Sequence, residues 1–551
     1  MKRTFLALLL VATFATQATF AQTTKVTITA AEKKIAENIT AAQISNYLYF
    51  VASDAMGGRD TPSVGLDITA EFLKMNLQRW GFKPAGDNGT FFQKFGLRRD
   101  VIDPKATSVK YNGISYEYGE DLARVGGSGS ISAPIVFAGN GWMIKSKGLN
   151  PYANIDVKGK VIAVFAEGEP GGRSITPLPA GVTQADLTGT RGTDWADVNT
   201  YGRANGAAGV LVLPSKFLAD NWSEVTAQFG RGRMVVDKLT PPTPATPTGP
   251  SFSLLVASPK LAKAIFAGEQ GDPMNGATNS FDVGAGKKFE LSVATKTEMA
   301  WTQNVIALWE GSDPTLKAEM VAVGAHYDHV GTNPNAPGPD KIWNGADDDG
   351  SGTVAVLSIA EALAKAPKRP KRSVLLVWHA GEEKGLWGAD YFNKFPTVDI
   401  KKVIAQLNID MIGRSKAAGD TNPKNKELSG PNDIYVIGSE MMSSTLGAVV
   451  KGTNSGFLKL GYDYKYDDPK DPNRFFFRSD HFHYAQNGIP VTFWFDGEHE
   501  DYHQPGDHPD KIDYQKMEKV TRTIFLTMWE LTDLKERPKV DKELPAELKQ
   551  R

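Results

Sequence analysis

EMVAVGAH (Glu319–His326) is followed, after a polar stretch, by GADDDGSG (Gly345–Gly352) and then TVAVLSIAEALAK (Thr353–Lys365). The first is an apolar run ending in a histidine, and the last has helical patterning. Three adjacent aspartates before Gly-Ser-Gly suit neither strand nor helix interiors, and their charges repel. A divalent cation relieves that repulsion, because hard metal ions take carboxylate oxygens and often form the largest local charge in a site. The alternative is an acidic loop that only complements the dipole of the following helix. The surrounding sequence decides between them.

From Trp301 onward, apolar runs and helical segments alternate. The runs include TQNVIALWEG (Thr302–Gly311), RSVLLVWHAGEE (Arg372–Glu383), KVIAQLNID (Lys402–Asp410), NDIYVIGS (Asn432–Ser439) and IPVTFWFDGE (Ile489–Glu498). Helices are predicted over Thr353–Ala366, Leu386–Phe395, Glu440–Lys451 and Asp480–Gln486, with an amphipathic closing helix over Tyr514–Leu534. Continuous Val/Ile/Leu strands alternating with helices predict an α/β fold, a mostly parallel mixed sheet covered by helices on both faces. His326 and Asp328 then end one strand, Glu382 and Glu383 a second, Asp410 a third, and His503 follows the last. Ligands of α/β sheets bind outside the carboxyl ends of strands. Each residue alone is ordinary, but their coincidence on one edge beside Asp347–Asp349 points to a site.

The chain has 551 residues, a net charge of −1 and no cysteine. A balanced charge without a basic stripe argues against nucleic acid as a partner. The absence of cysteine removes disulfides, thiolate metal sites and a thiol nucleophile together, so any metal is held by His, Asp and Glu. All eight histidines fall between His326 and His508. His379, inside a strand, reads as a packed residue. His329, His499 and His508 are expected in loops or behind the ligands, and His481 and His483 in RSDHFHY (Arg478–Tyr484) in a structural role lining the site.

At the other end, Lys2 and Arg3 precede the apolar FLALLLVATFA (Phe5–Ala15), and Thr19 and Ala21 suit a cleavage site. That run is too short to span a bilayer, so the expectation is an exported protein, periplasmic or secreted, without a membrane span. Thr40 and Gln43 form a capping-box pattern, a second helix is predicted over Leu66–Trp80 before Gly81, and GGRD (Gly57–Asp60) reads as a turn near the site. Val101–Thr295 changes texture to short β-rich runs separated by Gly/Pro loops, among them the solvated LTPPTPATPTGP (Leu239–Pro250). With no histidine, this stretch reads as an accessory domain.

HYD, GADDDGSG, HAGEEKGLWGADYF, NIDMIG, RSDH with NGIP, and YHQPGD together resemble the co-catalytic zinc aminopeptidases, the M28 metallopeptidases, over roughly Thr302–Leu534. YANIDVKGKVIAVF (Tyr152–Phe165) and GRANGAAGVLVL (Gly202–Leu213) resemble a protease-associated (PA) domain. These readings divide the chain into a signal peptide (1–21), an N-terminal helical part of the peptidase domain (22–115), a PA-like insert (116–295), the catalytic domain (296–537) and a tail (538–551). The resemblance implies two Zn2+ ions per chain and peptide substrates. His326 and Asp410 would hold one ion, Glu383 and His503 the other, and Asp348 would bridge them, with a cis peptide bond after it as in relatives. Asp328 would accept a hydrogen bond from His326, and Glu382 would be the general base that readies a hydroxide shared by both metals. Simpler relatives place an oxyanion-stabilising tyrosine before Ser-Asp-His, where this chain has RFFFRSDH (Arg474–His481). Arg478, Tyr484 and Tyr502 are the candidate donors instead. Phe475–Phe477 and Trp494 either line a specificity pocket or belong to the core. A glutaminyl cyclase-type acyltransferase and a non-catalytic binding protein on the same fold are the alternative functions.

Overall fold

The computed structural model describes residues 26–549, apart from 128, 168–173, 242–252, 270, 277–278 and 285. The expected signal segment and most of the Pro-rich Leu239–Pro250 loop lie outside the described residues. The chain forms two compact units, one from the described residues up to Phe95 together with those from Trp301 on, the other Gly96–Ala300. It leaves the first unit along the strand Phe92–Ile102 and returns along β1 (Thr295–Trp309). The divisions thus fall inside strands, at 95/96 and 300/301, where composition had placed them at 115/116 and 295/296. A boundary within a continuous strand leaves no linker for composition to reveal.

In the first unit the main sheet continues from β1 through β2 (Met320–His326), β3 (Ser373–His379), β4 (Val403–Ile409), β5 (Asp433–Ile437), β6 (Gly461–Asp463) and β7 (Val491–Phe495). They lie in the order β1-β3-β2-β4-β7-β5-β6. β3, β2, β4 and β7 run parallel, flanked by antiparallel β1 on one side and β5 on the other. Every residue of the four parallel strands is buried, which is why they read as unbroken apolar runs. On one face Ala322, Leu375, Val377, Val491 and Phe493 pack with Phe392, Tyr484 and Ala485 of the helices Trp387–Lys394 and His481–Gln486. The helices Gly352–Lys365 and Tyr514–Asp533 also lie against β2, and Ala41–Val51 packs on the former. The α/β class with a mostly parallel mixed sheet is the observed one.

Local signals account for the helix starts. Thr40 Oγ1 accepts the Gln43 N–H while the Gln43 side chain accepts the Thr40 N–H, a reciprocal cap contributing about 0.5–2 kcal/mol. The next helix, Val64–Arg79, stops before Gly81 at φ +80°. The second unit is β-rich, with one sheet centred on Ile135–Phe137, Val161–Val164, Gly209–Val212 and Ser253–Ala257 and a smaller antiparallel one containing Ser108–Tyr111 and Phe289–Ser292. Among the described residues no helix is long and apolar enough to cross a membrane.

One carboxyl in the closing helix carries a pH signature. Glu530 is pushed up to about 7 by burial, with Glu32 and Asp533 adding repulsion. Because this folded-state value lies above the ordinary 4.5, the wild type loses stability as pH rises through about 7. Glu530→Gln is therefore expected to raise Tm at pH 8 and to leave it nearly unchanged at pH 4.5. An equal gain at both pH values in thermal melts counts against the account.

Candidate metal centre

The ends of parallel strands deliver the polar residues to one edge. His326 closes β2, Glu382 and Glu383 follow β3, Asp410 follows β4, and His503 lies beyond β7. The three aspartates then part company. Asp347 Oδ1 accepts the Gly413 N–H at 2.6 Å and Oδ2 lies 3.2 Å from His499 Nε2. Asp349 accepts N–H groups from Gly352 (2.8 Å), His326 (3.2 Å) and Met411 (3.2 Å), so it serves the helix start as the capping alternative supposed. Of the three, only Asp348 faces the imidazoles of His326 and His503. Its N–H and that of Asp347 are held by the Asp507 carboxylate at 3.1 and 2.9 Å, and the Asp348–Asp349 peptide bond is cis. Gly345 opens the loop at φ +56°, and a Cβ there would stand 2.3 Å from the Asp348 carbonyl oxygen and 2.5 Å from the His329 ring.

Asp348 turns one oxygen to each of two groups. Oδ1 is 3.3 Å from His326 Nε2, itself 3.6 Å from Asp410 Oδ1. Oδ2 is 3.0 Å from His503 Nε2, itself 3.1 Å from Glu383 Oε2. Ligand atoms on a tetrahedral zinc with bonds of 2.0–2.1 Å stand about 3.3 Å apart, so both groups have the spacing of a metal's ligand shell. Asp348 Oδ2 and Glu383 Oε1 are buried without a hydrogen-bond partner, even though His329 Nδ1 is only 2.7 Å from the latter. Buried polar atoms in that state are rare, and here they crowd together without aiming at one another. The five residues expected as ligands, His326, Asp348, Glu383, Asp410 and His503, thus lie together, and their donor set fits divalent metal.

The electrostatics agree. Burial lowers the pKa of His503, but Asp348 and Glu383 outweigh it and hold the imidazole up at about 10. Burial likewise opposes protonation of His326, yet Asp410 and Glu382 raise it well above the usual imidazole range. A cluster that holds protons on its histidines favours cations, and metal binding displaces those protons. By contrast burial keeps His379 and His481 neutral, each pushed down to about 3.

The surroundings fix the ligands' orientations. Ser479 Oγ donates to Asp410 Oδ2 at 2.6 Å and accepts from Asn408 Nδ2 at 2.8 Å, leaving Asp410 Oδ1 toward His326. His326 meets Asp328 through the backbone of the latter. His326 Nδ1 lies 3.1 Å from the Asp328 carbonyl oxygen and 3.7 Å from its carboxylate, which instead accepts the Glu382 N–H at 3.1 Å. The chain curls after β2 so that the carbonyl lies against the ring. A carbonyl only accepts, so Nδ1 keeps its proton and Nε2 is the nitrogen a metal would take on displacing the other. Met411 and His503 both adopt positive φ, +58° and +52°, a conformation other residues than glycine hold only where neighbours impose it.

A cavity opens over these groups. Met411, Phe475, Phe493 and Phe495 form its apolar wall, Glu382 lines it, and Arg478, Glu498 and Tyr502 form a polar rim. Arg478 reaches Glu498 Oε1 at 2.9 Å and the Tyr502 hydroxyl at 3.3 Å, and Tyr502 stacks on His503. Of the three candidate donors, Tyr484 is displaced. It is fully buried with its hydroxyl 3.2 Å from His379 Nε2, because its helix turns it into the core. Trp494 is buried too, bonded to the Tyr462 hydroxyl. His481 and His483 do not line the cavity; His481 stacks on Phe493 and His483 meets Gln486. His329 is the residue sequence reasoning underrated. With Asp348 and Glu383 it forms one of two groups whose chosen atoms lie within 4.8 Å of one another, the other being His326, Glu382 and Asp410. Its spacing from His326 in HYDH was the available signal.

Residues 304–528 match the profile of Peptidase family M28. Leupeptin-inactivating enzyme 1 of Streptomyces exfoliatus is 29% identical over 264 residues, 46% of this chain and 51% of that protein. A probable leucine aminopeptidase 2 of Aspergillus oryzae is 32% identical over 216 residues, 38% of this chain and 36% of that protein. Among solved structures, an aminopeptidase from Aneurinibacillus sp. strain AM-1 aligns with a TM-score of 0.47 and 15% identity, covering 93% of this chain and 97% of that one. The chain therefore spans about half the length of the first relative and about a third of the second.

Proposed function

We propose, on the match of residues 304–528 to peptidase family M28, that the chain is an exported aminopeptidase holding two zinc ions. The observation that carries this reading is the Asp348 carboxylate, with one oxygen 3.3 Å from His326 and the other 3.0 Å from His503. His326 and Asp410 would hold one ion, Glu383 and His503 the other, with Asp348 common to both. When bound, such a pair supplies Lewis acidity toward a peptide carbonyl and makes a nearby water more acidic.

The chain's own groups do the rest. Glu382 takes a proton from water in the cavity and delivers it to the leaving amine. Tyr502 and Arg478, at the rim, are placed to donate to the carbonyl oxygen as charge develops on it. The wall of Met411, Phe475, Phe493 and Phe495 suits an apolar first side chain, and the relatives named leucine aminopeptidase agree with that choice. The acidic surroundings favour a free N-terminal ammonium, hence removal of single residues from the amino end. Gly96–Ala300 is read as a protease-associated domain, and residues 1–21 as the export signal.

The test is a peptide-library digest by the purified full chain, read by mass spectrometry. Stepwise loss of N-terminal residues is expected, ceasing with chelator and returning with added zinc. Cyclised N-terminal glutamine in place of shortened peptides would move the assignment to the acyltransferase reading. Unchanged peptides in the presence of zinc would overturn the proposal.

A further inference from the structure

We infer that Arg59, from the turn GGRD and outside the family-matched segment, is a positioning residue that clamps the two loops carrying His326 and Asp348. The inference rests on the metal-site reading above. Arg59 is 0% exposed. Its guanidinium donates four hydrogen bonds, from Nε to the Tyr327 carbonyl at 2.9 Å, from Nη1 to Val51 at 2.9 Å and Asn344 at 2.7 Å, and from Nη2 to Gly345 at 2.8 Å. In return its own carbonyl accepts the His329 N–H at 3.2 Å.

These acceptors are not scattered. Tyr327 sits between His326 and Asp328, while Asn344 and Gly345 open the loop that presents Asp348. One planar fork therefore fixes the end of β2 against the aspartate loop, and Val51 ties both to the N-terminal helix Ala41–Val51. The turn is shaped for this. Gly57, Gly58 and Arg59 all have positive φ (+55°, +68° and +47°). A Cβ on Gly58 would lie 2.4 Å from the Gly331 carbonyl oxygen and 2.5 Å from that of Trp343.

A buried guanidinium is costly to desolvate, and a residue needed only to fill the core would be apolar. All four acceptors are neutral carbonyls, so the charge is supported at longer range by Asp328, Asp507, Asp349 and Asp348. Lysine would keep the charge but not the fork that spans Tyr327, Asn344 and Gly345.

The test compares the full chain with Arg59→Lys and Arg59→Ala, measuring zinc affinity by competition with a chromophoric chelator, Tm, kcat and KM. Outer contacts of metal ligands change affinity by roughly 10–100-fold. Both variants are expected to bind zinc more weakly by about that factor, with kcat lowered and KM within twofold. Millimolar guanidinium ion, but not ammonium, should restore part of the zinc affinity of Arg59→Ala. Zinc affinity within twofold of wild type in either folded variant overturns the inference. So does failure of both variants to fold, which would make Arg59 a core element and nothing more. A wild-type chain that binds no zinc is a separate result, and it removes the metal reading itself.

Discussion

Glu382→Gln is expected to lower kcat by about 10²–10⁴-fold, the range a general base contributes, while leaving the bound zinc at the wild-type amount. The two adjacent glutamates occupy different positions. Glu383 has one oxygen 2.7 Å from His329 and the other 3.1 Å from His503, so an imidazole stands beside each side of its carboxylate. Glu382 lines the cavity, and its nearest imidazole contact, His326 Nε2, is 3.9 Å away. Glutamine keeps the shape of the side chain, and the backbone N–H that anchors position 382 to Asp328 is untouched. What it removes is the capacity to accept a proton. Kinetics on an aminoacyl anilide and metal analysis of the same sample decide the matter. Because Glu382 also falls within 4.8 Å of the ligand atoms of His326 and Asp410, the competing outcome is specific: loss of one zinc on substitution would make Glu382 a ligand and leave the base to be found elsewhere.

What could be read in the chain beforehand follows the range of the interactions concerned. Strands buried on both faces write themselves as runs such as SVLLVWH, and a cap such as Thr40–Gln43 depends on residues three apart, so both were legible. The edge on which His326, Glu383 and Asp410 meet was legible as well, because parallel strands put their carboxyl ends together. Partnerships set by backbone course were not. Nothing in HYDH says that the Asp328 carbonyl, and not its carboxylate, meets His326, since that depends on how the chain curls after β2. Tyr484 looked like a site residue by its nearness in sequence to Arg478, but one helical step directs it to His379 in the core. Arg59 is 268 positions from Tyr327, and its hydrogen bonds go to carbonyls, which every residue has. No side-chain pattern could have paired them.

Asp348→Ala is expected to remove both zinc ions together and with them all measurable turnover, whereas His503→Ala should remove one. The reasoning lies in how the carboxylate is held. Its backbone N–H and that of Asp347 are fixed by Asp507, which anchors the base of the side chain between the two groups. Its two oxygens face His326 and His503 separately. Deleting it takes a ligand from each position at once and leaves each with one imidazole and one carboxylate, fewer than the three protein ligands a catalytic zinc ordinarily needs. The loss of affinity should therefore exceed the roughly 100-fold that outer contacts cost. Ligand binding stabilises only the folded state, so the rise in Tm that zinc gives the wild type should vanish in Asp348→Ala and be reduced in His503→Ala. Retention of one tightly bound zinc by Asp348→Ala would mean that the two positions do not share this carboxylate, and the paired centre would give way to two independent sites.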